Sequence, residues 1–265
     1  MEVHHHAHPP KKVSEYFTEF IMLFAAVTLG FFAENLREHQ IEKHREIQYL
    51  KNIHLDLERD ILEIDKIVNY NILKQKLGLQ LADLYAKDYE SDLPQFYYLI
   101  KSLALRSYFQ HSKNGIDQLK NAGGLRLIEN DEIIKQLQLI EIRIANIDAL
   151  QESMDQNLLY FRMKTGSILD AYTVWEMNQK QLLNYSPNGS EKQRYLNRFD
   201  LPEHARPLKH NNPEDINELV NLGIAPVNST RYINGHLGQL KAQCIALNKL
   251  LMDTDGSDFE SLRRR

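Results

Sequence analysis

Between residue 36 and about residue 89 apolar side chains return at alternating steps of three and four. Leu50, Ile53, Leu57, Ile61, Ile64 and Val68 mark the stripe. That is the period of an amphipathic helix close to the coiled-coil repeat, and no proline interrupts it. Gly78 is the candidate position for a kink in so long a helix. A second stripe runs through Ile133, Leu137, Ile140, Ile144 and Ile147 and on to Leu158, Phe161 and Ile168. It predicts a long helix capped by Asn130, with Asp131 and Glu132 in its first turn, extending as far as Leu183. Between the two, SDLP at residues 91–94 stops one helix and starts another over 94–109. A short helix over 116–122 closes on Gly123 and Gly124. Residues 184–213 lose the pattern: Pro187, Pro202, Pro207 and Pro213 and the Asn188-Gly189 pair read as a loop. Short and long helices follow over 213–222 and 230–251. Residues 125–128 are the one strand candidate and are too few to build a sheet.

The N-terminal pattern is of a different kind. Residues 20–33 carry no charge, a run of 14. Extending the segment to the interfacial aromatics Tyr16 and Phe17 and to Glu34 and Asn35 gives residues 16–35. At ~1.5 Å per residue these span roughly 30 Å, the thickness of a bilayer core. A cleaved signal peptide is the main rival, but Phe31 stands two positions before Ala33 where a small residue is required. Ser14 is the expected N-cap. Residues 1–12, with Pro9-Pro10, precede the helix as a polar tail expected to be disordered. A short basic tail before the span favours an extracytoplasmic C-terminal part, whereas Arg37, Lys43, Arg45 and Lys51 beyond it argue the reverse.

The expected architecture is therefore all-α. One N-terminal transmembrane helix over 13–35 continues into a long helix, and an antiparallel helical bundle follows. Helices over 40–89 and 130–183 pair antiparallel in this scheme, residues 36–183 form the main bundle, and 214–255 complete it before a frayed tail over 256–265.

Composition narrows the chemistry. A chain of 265 residues with 43% hydrophobic content can bury a core, and a formal charge of -4 argues against a surface built for nucleic acid. Cys244 is the only cysteine, which excludes an intrachain disulfide and reads as a small core residue. Nucleotide-binding, zinc-protease and serine-hydrolase motifs are absent, so no catalysis and no cofactor are inferred. His4, His5, His6 and His8 form an imidazole-rich tail able to hold a divalent metal weakly. Glu19 and Glu34 flank the span and lie about 60° apart around the helix. Glu34, Glu38, Glu42 and Glu46 recur every four residues. They read either as a solvated stalk of mixed charge or as a ring of acids about the axis of a homo-oligomer. The 50–68 stripe is the candidate self-association surface. Tyr160, Phe161, Tyr172 and Trp175 fit a core better than a ligand pocket, and His54 with Glu58 fits a surface pair better than a metal site. Arg263 to Arg265 read as a solvated terminus.

The N-terminal run HHHAHPPKK, followed by EYFTEFIMLFAAVTLGFFAENLREH, resembles a family of single-span helical proteins of unknown function from Bacteroidota. The Gly-Phe-x-Ala-Glu-Asn pattern falls at residues 30–35. The segment DQLKNAGGLRLIEN at residues 117–130 resembles a Leu-Lys-x-x-Gly-x-Leu-Arg-Leu-Ile segment of that family, and the likeness covers about residues 1–145. It implies a membrane-bound helical protein and carries no activity over.

Taken together, these readings predict a single-pass protein of the bacterial inner membrane that works by binding, as a scaffold, sensor-like element or assembly subunit. The partners expected are the bilayer and a second copy or another membrane protein. A homo-oligomeric channel or transport accessory using the acids is the first alternative. A metal-handling protein using the histidine tail is the second.

Overall fold

The computed structural model describes residues 13–183 and 199–261, with side chains described over 13–179 and 199–254. Among the described residues the chain is all-α and contains no strand. Helix α1 is Val13–Lys87, 75 residues without a break. A 3-10 turn at Tyr89–Asp92 leads into α2, Leu93–Leu103, and α3 is Asn114–Asn121. A second 3-10 turn occupies Gly124–Leu127 and takes in three of the four residues of the strand candidate at 125–128. Helices α4, Asp131–Ile168, α5, Ala171–Leu183, and α6, Pro213–Ser261, follow.

Three of these helices bury a strict alternation of threes and fours. In α1 the buried series includes Glu46, Leu50, Ile53, Leu57, Asp60, Ile64, Ile67, Asn71, Lys74, Gly78 and Leu81. In α4 it includes Ile133, Leu137, Ile140, Ile144, Ile147 and Gln151, and in α6 Ile233, Leu237, Leu240, Cys244, Leu247 and Leu251. A seven-residue repeat keeps one face of each helix turned to its neighbours over many turns.

Cross-helix bonds fix the directions. His54 bonds Asn248, Asp65 accepts from Lys241 at 2.6 Å, and Asn71 donates to Asn234 at 2.7 Å. Numbers rise along α1 as they fall along α6, so the two are antiparallel. Arg143 reaches Gln243 at 3.2 Å and Lys164 reaches Asp215 at 2.7 Å, which makes α4 and α6 antiparallel as well. Helices α1 and α4 therefore run the same way, contrary to the antiparallel pairing expected of them. The physical reason is the intervening chain. Residues 103–129 descend along the covered part of α1, from Lys74 beside Leu103 to Glu46 beside Glu129, so α4 starts beside Glu46 and climbs the same way as α1.

Other boundaries also differ from expectation. Helix α1 continues through Gly78 without a break; the missing Cβ there lets α6 approach, because a Cβ would sit 2.3 Å from Val227 Cγ2. Helix α2 ends at Leu103 rather than near 109. Helix α4 stops at Ile168, and Asp170 opens α5 by accepting from Thr173 N at 2.9 Å. The expected break around residues 223–229 is absent. Pro226 lies inside α6, removing one ladder bond, while Thr230 donates its hydroxyl to the Pro226 carbonyl at 2.7 Å. Gly123, with φ 64°, takes the left-handed position that ends α3, as the sequence indicates.

Candidate functional site

Two regions stand apart from ordinary core and surface. The first is the start of α1. Every residue from 13 to 41 is exposed, including Phe17, Phe20, Leu23, Phe24, Phe31 and Phe32. The window is long and apolar enough to cross a membrane, and none of it is buried against the chain. Its polar side chains turn inward on the helix: Thr18 donates to the Ser14 carbonyl at 2.9 Å and Thr28 to the Phe24 carbonyl at 2.8 Å. Such back-bonding leaves no hydroxyl proton unsatisfied in apolar surroundings. The helix begins at Val13, so Ser14 is a first-turn residue rather than the cap. First burial comes at Glu46, about 15 Å of helix beyond residue 35.

The second region is a polar belt. Two apolar clusters make up the core. One gathers around Leu50, Ile64, Ile140 and Leu247; the other gathers around Leu81, Phe96, Phe161 and Leu219. Between them α1 contributes Asn71 and Lys74, and α4 contributes Gln151. The belt adjoins residues 104–113, which carry backbone polar groups without helical partners, and buried side chains supply the missing bonds. Lys74 donates to the Leu103 and Leu105 carbonyls, and Arg162 Nε to the Ala104 carbonyl at 2.8 Å. These cations cap the carbonyl end of α2. Gln151 closes a two-bond clasp on Phe109, accepting from its N–H at 2.8 Å and donating to its carbonyl at 3.2 Å. Asp60 takes the Ser112 N–H at 2.9 Å and pairs with His111; Asp56 takes the Gly115 N–H at 2.6 Å. Arg106 Nη1 donates to the Gln151 carbonyl at 2.6 Å and to Asp155, with its guanidinium 4.5 Å over the Tyr108 ring. Burial, then the charges of Arg106 and Arg162, pushes the Lys74 ammonium down to about 7.

The residues singled out from sequence fall in several places. Glu34 pairs with Arg37, and Glu19 and Glu38 are exposed. Glu42 lies 3.8 Å from Arg126. Glu46 leaves the ladder altogether: it is buried, accepting from Glu129 N and Lys43, each at 3.1 Å. A stalk acid was expected there, but the heptad turns this position toward the core. The proposed self-association stripe is likewise corrected. Leu50, Ile53, Leu57 and Ile64 are buried and Ile61 and Val68 partly so, all in a core completed by α3, α4 and α6 of the same chain. Its inner positions are occupied by the chain's own core.

His4, His5, His6 and His8 and Arg263 to Arg265 lie outside the described residues. Among the described residues no group of three or more His, Cys, Asp or Glu is placed to hold a metal. His54 sits 3.8 Å from Glu58 and bonds Asn248. The four aromatics share no pocket: Phe161 is core, Tyr160 donates to Glu218 at 2.5 Å, and exposed Tyr172 and Trp175 contact each other, with Arg206 over the Tyr172 ring. Cys244 is fully buried, and burial pushes its thiol up to about 12. The polar belt itself was missed. Its sequence signal is the appearance of Asp60, Asn71, Lys74 and Gln151 at positions that continue an otherwise apolar heptad. No family model, curated protein or solved structure matches the chain.

Proposed function

We propose that the chain is a membrane-anchored helical interaction protein, held in the bilayer by residues 16–35 and acting through a helical bundle beyond it. The observation that carries this reading is the complete exposure of an apolar segment on all sides of one helix. A core helix of a water-soluble protein would be covered on at least one face. An exposed patch limited to one face would suit a protein groove. Apolar residues around the full circumference suit lipid, which surrounds its solute. The likeness of residues 1–35 to the single-span family points the same way, and the inner membrane of a bacterium is the location that likeness implies.

The role is binding rather than catalysis: scaffold, sensor-like element or assembly subunit. About 15 Å of helix joins span to bundle without a break, so displacement of either end is transmitted to the other. The basic tail before the span favours an extracytoplasmic bundle.

The test is extraction of membranes at alkaline pH. The full chain is expected to stay with the lipid pellet, and a Leu23→Arg, Ala26→Arg double variant to pass into the supernatant. Two charges at the bilayer centre cost about 5–7 kcal/mol on insertion scales. Release of the unaltered chain by the same treatment overturns the reading.

A further inference from the structure

The polar belt contains a cavity of about 40 Å³ between α1, α4 and α6. Its space is enough for about three waters or one small ion. Lys74 and Arg106 line it, together with Asn71, Asn157, Ser229 and Thr230, and no carboxylate does. Both cations are deep: Lys74 is 5% exposed and the Arg106 side chain 8%. Arg106 spends Nη1 on Gln151 and Asp155, and its Nη2 is buried without any hydrogen-bond partner. A buried charged donor left unpaired costs more than a neutral one, and protein interiors rarely leave it so.

We infer that this cavity is a binding site for one small monovalent anion, of the size of chloride, nitrate or formate. Arg106 Nη2 and the Lys74 ammonium supply charge-assisted bonds, and the hydroxyl and amide groups of Ser229 and Asn157 complete the shell. Charge balance points the same way. Lys74 faces Arg106 and Arg162, with Asp155 the acid bonded to Arg106, and α6 brings only uncharged groups to the lining. An anion offsets the repulsion among these cations and returns Lys74 toward its charged form. The site joins α1 and α4 to α6 at Pro226, where the α6 ladder already lacks a bond, so occupancy ties three helices together at that level. The inference does not depend on how the N-terminal segment meets the membrane.

The experiment is a chloride-35 NMR line-width titration of the full chain in maltoside micelles. The expected result is saturable broadening with one site per chain, displaced by nitrate and by formate, and stronger at pH 6 than at pH 8.5. Lys74→Met and Arg106→Gln are each expected to weaken binding about tenfold to a hundredfold, the loss of one charge-assisted bond. Ser229→Met fills the cavity while keeping both cations, and it should abolish binding with the helical circular dichroism intact. It serves as the decisive variant if either charge variant fails to fold. Broadening that never saturates, or that is unchanged in the folded Ser229→Met protein, overturns the inference.

Discussion

At the scale of single residues, the heptad positions that are not apolar carry the most information. Lys74 occupies a core position, and its depressed proton affinity has a definite consequence for stability. Unfolded, a lysine holds its proton to about pH 10.4; folded, this one releases it near 7. Between those values the unfolded chain binds more protons than the folded one, so stability rises with pH across that window. Cys244 acts in the opposite sense. Its thiol is pushed up to about 12, so above roughly pH 8.5 the unfolded chain loses a proton that the folded chain keeps, and stability falls. The expected profile in chemical denaturation climbs from pH 7 to about 8.5 and then flattens. Lys74→Met should remove the climb and leave the alkaline decline. A climb of equal slope in that variant would assign the effect to another group.

At the scale of elements, the sequence showed the helices and concealed how they meet. The heptads of α1, α4 and α6 are written in Leu and Ile, and the caps of α3 and α4 in Gly123 and Asn130; these were legible. The end of α2 was not, because nothing local stops it at Leu103. The stop comes from Lys74, 29 residues earlier, and Arg162, 58 residues after Ala104. Pro226 misled for the converse reason, since packing on both sides of α6 outweighs one missing ladder bond. The polar belt was illegible for the same cause, as its partners are backbone groups of a distant segment.

One close approach tests this account of helix packing. At Gly115 a Cβ would lie 2.7 Å from Ile53 N and 2.8 Å from the Asn52 carbonyl carbon, so α3 rests on the backbone of α1. Gly115→Ala is expected to lower stability by about 1–3 kcal/mol through overpacking, despite the gain in helix propensity. Gly166 on α4 has open space around its Cβ position, and there Ala should raise stability by about 0.5–1 kcal/mol. Urea denaturation of both variants reads the contrast. Equal signs would mean that α3 does not dock as closely as described.

For the molecule as a whole, the division of labour along α1 is the organising fact. Residues 13–41 are all exposed, whereas from Glu46 onward the same helix is a central member of the core. The two apolar clusters draw on none of these residues. A chain beginning at residue 42 should therefore fold alone, remain soluble without detergent, and melt within a few degrees of the full chain in maltoside. Among the described residues the truncation removes 13–41, all of them exposed, and no buried side chain. The same truncation should abolish retention by membranes at alkaline pH, and circular dichroism melting with flotation on liposomes measures both properties at once. A shortened chain that unfolds far earlier would show that the N-terminal segment packs on the bundle. One that still floats would place a second lipid-binding surface among residues 42–265. Only loss of flotation together with an unchanged melt fits an anchor and a self-sufficient bundle joined by one continuous helix.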